Sequence, residues 1–137
     1  MGRTSMDFEI RNYADVHDYE AGRLPFDRIR RTTISGIVDT GAARLVLPSS
    51  AVAILGLPVV GQSSVRYADH RRSNRDVVRD AQVLLLGRSG VFQAIVEPSR
   101  TDALIGAIVL EDLDLLVDCV RQRLIPRDPN TIITEIE

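Results

Sequence analysis

Val38-Asp39-Thr40-Gly41-Ala42 is the stretch on which the reading of this chain turns. Residues 28–38 read as a strand running into it, with Asp39 at the end of an apolar stretch. A carboxylate then sits at the apex of a sharp turn. Gly41 admits close approach of backbone to that carboxylate and tolerates positive φ. Backbone N–H groups can then hold the carboxylate in one orientation. Taken alone, Asp-Thr-Gly after a strand is an ordinary turn.

Working downstream, residues 48–56 read as a short helix, with a serine to cap its start, Gly56 at the C′ position and Pro58 to prevent continuation. Residues 63–68 and 76–86 read as two strands joined by a polar turn around Asp69-His70-Arg71-Arg72. Gly87-Arg88-Ser89-Gly90 is expected to turn the chain into a further strand over residues 91–96. Leu104-Ile105-Gly106 follows, then a second helical stretch near residues 108–113. Residues 115–118 and 123–125 read as a hairpin, and residues 131–136 as a strand-like tail that needs a partner. Upstream, Phe8-Glu9-Ile10-Arg11 alternates as a half-buried strand does. Residues 12–25 are rich in turn formers and are expected to include an edge-like strand.

The order Asp-Thr-Gly-Ala, short helix, hairpin, strand, apolar-apolar-Gly, helix, strand resembles the retropepsin-like aspartic proteases, over residues 29–126. Its most specific parts are residues 38–42, residues 47–58 with Leu55-Gly56-Leu57-Pro58, and residues 103–118; Val117-Asp118-Cys119-Val120 and the residues after it look like the bacterial members. The resemblance implies an all-β, closed acid-protease barrel with one or two short helices. It also implies an endopeptidase that needs neither metal nor other cofactor. Two aspartates sharing one proton would activate a water, because two carboxylates a few ångströms apart cannot both ionise comfortably. Asp-Thr-Gly occurs once in 137 residues, so the resemblance makes the enzyme an isologous homodimer with Asp39 from each copy on its axis.

Site residues follow from the same resemblance. Asp39 is the catalytic carboxylate, Thr40 a cross-dimer hydrogen-bond grip, and Gly41 a backbone contact. Ala42, Leu104, Ile105 and Gly106 line the substrate. Residues 65–78 would be a flap closing over an extended polypeptide, with Tyr67, Ala68, Asp69 and His70 near its tip. Many relatives have Gly where His70 stands, but His adopts left-handed geometry more readily than most residues. Viral members usually follow the glycine at the Gly106 position with Arg and then Asn or Asp, where this chain has Ala107-Ile108; it also has Ala43-Arg44 where they often carry an acidic pair. The alternative function is a catalytically weak or inactive peptide-binding dimer of the same fold.

Composition bounds the rest. The chain is 45% hydrophobic and 26% charged, as one soluble domain over residues 1–137 would be, with residues 1–5 read as a cloning remnant. A net charge of −2 gives no case for a nucleic-acid or membrane partner. All 17 cations are Arg; Arg71, Arg72 and Arg75 cluster without interleaved aromatics and read as a solvated loop. His17 and His70 offer no metal-ligand set, and Cys119, in an apolar run, reads as a buried, inert thiol. Glu111, Asp112, Asp114, Asp118 and Asp102 read as caps and a solvated helix face, with Arg44 available to pair with one of them. No signal peptide or spanning segment is legible, which makes the cytoplasm the expected location.

Overall fold

The computed structural model describes residues 3–137. Alternation at Phe8 and Ile10 sets the first element, β1 (Ser5–Asn12), whose buried residues face the core. The remaining strands are β2 (Arg31–Val38), β3 (Leu45–Pro48), β4 (Val59–Arg66), β5 (Arg72–Leu85), β6 (Arg88–Glu97), β7 (Ala103–Ile105), β8 (Leu115–Asp118) and β9 (Arg123–Pro126). Helices α1 (Tyr13–Glu20), α2 (Ser49–Leu55) and α3 (Ala107–Leu113) are short. Pairing runs β1-β2-β7-β3-β6-β5, and β5 returns to β1 with Glu9 opposite Leu84. Six strands therefore close into a barrel, and the expectation of an all-β barrel holds. Ile10, Leu45, Leu47, Val83, Ile105 and Leu113 are among the fully buried side chains that fill it.

One irregularity gives the barrel its projecting arm. The β5–β6 register slips between Val78 and Ala81, and Asp80 there has φ +67°. Such a bulge bends and twists its strand. The C-terminal half of β5 closes the barrel against β1. Its N-terminal half leaves the barrel and pairs with β4, Arg66 opposite Arg72, to form a hairpin arm.

Several local expectations are corrected. Residues 12–25 hold α1 rather than an edge strand. The Asn12 side chain accepts from the Asp15 amide at 3.2 Å, capping the helix, and its Nδ2 donates to the Leu55 carbonyl. α2 is preceded by Pro48, not by a capping serine, whereas Gly56 takes the left-handed φ of +61° expected of it. The turn into β6 is only Leu86-Gly87, both at positive φ between the paired residues Leu85 and Arg88. That two-residue form matches strand twist, so β6 starts earlier than read. Cys119 is exposed, because it lies in the β8–β9 turn where the Asp118 carboxylate accepts from the Val120 and Arg121 amides.

Residues 131–136 form no strand among the described residues. Side chains hold this tail instead: the Ile133 amide donates to Asp114 at 3.0 Å, and Arg127 donates to the Ile133 carbonyl at 3.0 Å. At the other end, Met1 and Gly2 of the expected cloning remnant lie outside the described residues. Thr4 is buried, its carbonyl accepts from Val38, and Ser5 pairs with Ile37. Among the described residues no helix is long and apolar enough to cross a membrane.

Candidate active site

Asp39 leaves the end of β2 as that strand runs parallel to β7, Val38 opposite Ile105. Its amide donates to the Ile105 carbonyl at 3.1 Å, and its carbonyl accepts from Ala42 at 3.1 Å. The Gly41 amide donates to Asp39 Oδ1 at 2.9 Å, fixing the orientation of an exposed carboxylate. Gly41 is not in the left-handed region; a Cβ there would stand 3.2 Å from Asp39 Oδ1. Close approach, rather than positive φ, is therefore what this position asks of glycine.

The loop is clamped from below by the Leu104-Ile105-Gly106 segment. A Cβ at Gly106 would lie 2.2 Å from the Arg44 carbonyl oxygen and 2.8 Å from that of Ala42. Backbone that close admits no side chain. The first amides of α3 then donate outward, Ala107 to the Ala42 carbonyl at 2.8 Å and Ile108 to the Ala43 carbonyl at 3.0 Å. Helix-start amides have no partner within their own helix, so the loop and the helix satisfy each other. Ala107-Ile108 thus fixes the loop through backbone, with no arginine side chain at those positions.

Above the loop stands the β4–β5 arm. Its tip is a tight turn in which His70 donates to the Tyr67 carbonyl and Tyr67 donates to the Arg71 carbonyl, both at 2.9 Å. His70 has φ +69°, the left-handed geometry its position demands. The Asp69 carboxyl is held below its ordinary value by the Arg71 amide first, then by the Arg71 side chain.

Between loop and arm lies a cleft of about 710 Å³. Asp39, Gly41, Ala42, Tyr67, Ala68 and Leu104 all line it. Thr40 is exposed on the same loop, Asp69 and His70 are exposed at the tip, and Ile105 and Gly106 are buried beneath the loop. Arg44 also faces the cleft and, among the described residues, pairs with none of the acids.

Sequence reading missed one cluster here. Tyr67 donates its hydroxyl to Glu97 Oε2 at 2.7 Å, while Arg75 Nε donates to Glu97 Oε1 at 3.0 Å and to the Tyr67 hydroxyl at 3.1 Å. Glu97 is buried at the end of β6. Its acceptance of the hydroxyl proton raises the Tyr67 pKa above 10.0. Burial disfavours the Arg75 charge, but Tyr67 and Glu97 outweigh it and leave its pKa above the ordinary value. Arg75 is accordingly a partner in a polar cluster and not a solvated loop residue.

The fold is that of the retropepsin-like proteases. It matches EIAV protease complexed with the inhibitor HBY-793, with a TM-score of 0.52 and 18% identity over 60% of this chain and 78% of that one. Simian foamy virus (mac) protease, solved in solution, aligns with a TM-score of 0.48 and 11% identity over 77% of this chain and 91% of that one. No protein-family model and no curated protein matches the chain.

Proposed function

We propose that the protein is an aspartic endopeptidase whose active site forms when two copies bring their Asp39 carboxylates together. The observation that carries this reading is the Asp39 carboxylate itself, exposed in the cleft beneath a hairpin arm and oriented by the Gly41 amide. An exposed carboxylate that met its two-fold copy would supply half of a dyad. The pair keeps one proton. The ionised member takes a proton from a water between them, and that water attacks the scissile carbonyl. The protonated member polarises the carbonyl oxygen, and proton return to the nitrogen expels the amine. Thr40 would grip its counterpart across the axis, and the β4–β5 arm, acting as a flap, would cover an extended polypeptide and exclude water. Ala42, Tyr67, Ala68, Asp69, His70, Leu104, Ile105 and Gly106 remain the proposed substrate surface and its support.

The test is cleavage of an unfolded polypeptide at mildly acidic pH. Wild type should cleave and be blocked by a statine-type inhibitor, and Asp39→Asn should not cleave. Absence of cleavage of a broad peptide library between about pH 3 and 7, which brackets the titration of such dyads, would refute the enzyme. Sedimentation tests the assembly separately: a chain that stays monomeric at high concentration cannot form the dyad.

A further inference from the structure

The chain is net negative, at −2, yet its cleft carries three arginines, Arg44, Arg66 and Arg100, against two carboxylates, Asp39 and Glu97. Two of the local charges are cancelled by partners. Arg100 pairs with Asp102 at 2.6 Å, and the cleft's Glu97 pairs with Arg75 at 3.0 Å. Arg44 and Arg66 are exposed, and among the described residues neither makes an ion pair. They belong to different walls: Arg44 to the loop that carries Asp39, Arg66 to the end of β4 in the arm.

Arg66 is moreover directly opposite Arg72 in the β4–β5 ladder. Residues paired across a ladder share a face, and like charges placed so are destabilising. Arg72 likewise makes no ion pair among the described residues. Arg72 does not line the cleft, whereas Arg66 and Arg44 do, so it is these two that an anionic group held in the cleft would meet. Low-dielectric walls concentrate the field in such a cleft.

Resting on the endopeptidase reading, we propose that Arg44 and Arg66 determine specificity by selecting polypeptide segments with Glu or Asp side chains flanking the scissile bond. The carboxylates of such a segment would meet the two free guanidiniums while its backbone lies beside Asp39.

The experiment uses matched peptides with a common apolar centre flanked by Glu, Gln or Lys, at about pH 6, where a Glu side chain with an ordinary pKa of about 4.3 is ionised. The expected kcat/KM order for wild type is Glu over Gln over Lys, with Glu favoured over Gln roughly three- to tenfold at low salt, as for partly screened ion pairs. The Glu-to-Gln ratio should fall toward one at about 1 M salt, where screening reaches about 3 Å. It should also collapse in Arg44→Gln/Arg66→Gln. Equal rates for Glu and Gln in wild type, or a ratio indifferent to salt, would overturn the selection while leaving the protease intact. Binding of the same peptides to Asp39→Asn, read by fluorescence anisotropy, separates the two ideas. If wild type cleaves nothing but binding keeps the order Glu, Gln, Lys, the endopeptidase fails and the anionic selection stands.

Discussion

The Tyr67 hydroxyl donates to the Glu97 carboxylate at 2.7 Å, tying the tip of the β4–β5 arm to the buried end of β6. This bond, together with Arg75, spans from the arm to the barrel, so it sets how far the arm stands from Asp39. Tyr67→Phe keeps the ring and removes the bond. A net hydrogen bond contributes about 1 kcal/mol, so the melting midpoint should move little. Amide exchange over residues 65–72 should quicken, and KM should rise more than kcat falls. Because Tyr67 is held neutral by its pKa above 10.0, the contribution is fully present below pH 10 and is lost only as pH rises through the higher folded-state value. Exchange rates unchanged in Tyr67→Phe would show that the bond does not restrain the arm.

Gly106 and Gly41 make a contrasting pair. An added Cβ at Gly106 meets two carbonyl oxygens of the Asp39 loop at 2.2 and 2.8 Å, whereas at Gly41 it meets only the Asp39 carboxylate, at 3.2 Å. Gly106→Ala must push backbone aside and should cost about 1–3 kcal/mol, the range for overpacking. Gly41→Ala, on an exposed loop, should cost within about 0.5 kcal/mol yet displace the carboxylate and lower kcat. Urea unfolding and peptide cleavage on both variants check the contrast, which fails if Gly41→Ala is the less stable protein.

Asp15 joins α1 to the start of β2. Its Oδ2 accepts from the Arg30 amide at 3.0 Å and from Nε at 2.8 Å, and its Oδ1 accepts from the Arg30 side chain at 3.0 Å. The Arg30 side chain first, against the opposing effect of burial, holds the Asp15 carboxyl below its ordinary 3.8. A depressed carboxylate pKa stabilises the fold above the unfolded value and ceases to do so as pH falls through the folded one. Asp15→Asn should therefore lose about 1–3 kcal/mol at pH 7, and the gap to wild type should close below pH 3.8. Urea midpoints at neutral and acid pH measure it; a gap that widens in acid contradicts the assignment.

What was legible in the sequence is what backbone geometry demands of particular residue types. Gly56 ends α2 in a left-handed turn, a mark that local reading finds, whereas Gly106, which admits the Asp39 loop, is singled out only by the resemblance. The Tyr67–Arg75–Glu97 cluster leaves none. Tyr67 lies in the turn just past β4, while Arg75 and Glu97 are on β5 and β6, where the register that sets Val77 opposite Ile95 carries them together; no local pattern marks that long-range meeting. α1 did carry a signal, Asn12 capping with Asp15 in the first turn. Its polar sequence buries only Asp15 and Val16, so no apolar periodicity drew attention to it. The tail over residues 131–136 misled for the opposite reason: its alternation is genuine, but among the described residues its backbone is held by side chains of Asp114 and Arg127 and not by a strand.

That anchorage yields the last prediction. Asp114, at φ +56° just past α3, accepts from the Ile133 amide and pairs with Arg127, which also pairs with Glu135. The Ile133 amide is the leading cause of an Asp114 pKa below the ordinary 3.8, with Arg127 and Arg88 adding to it against desolvation. The tail should thus stay docked throughout the mildly acidic range and loosen only as pH falls below 3.8 toward the folded-state value. Asp114→Ala removes both the acceptor and the counter-charge of Arg127. Limited proteolysis at pH 7 should then cut near residues 129–136 several-fold faster than in wild type, with the barrel fragment left intact. Ile132 and Ile133 are each 40–43% exposed while docked, so release would expose more apolar surface and should raise binding of a hydrophobic dye in the same variant. If neither the cutting rate nor dye binding changes, Asp114 does not hold the tail.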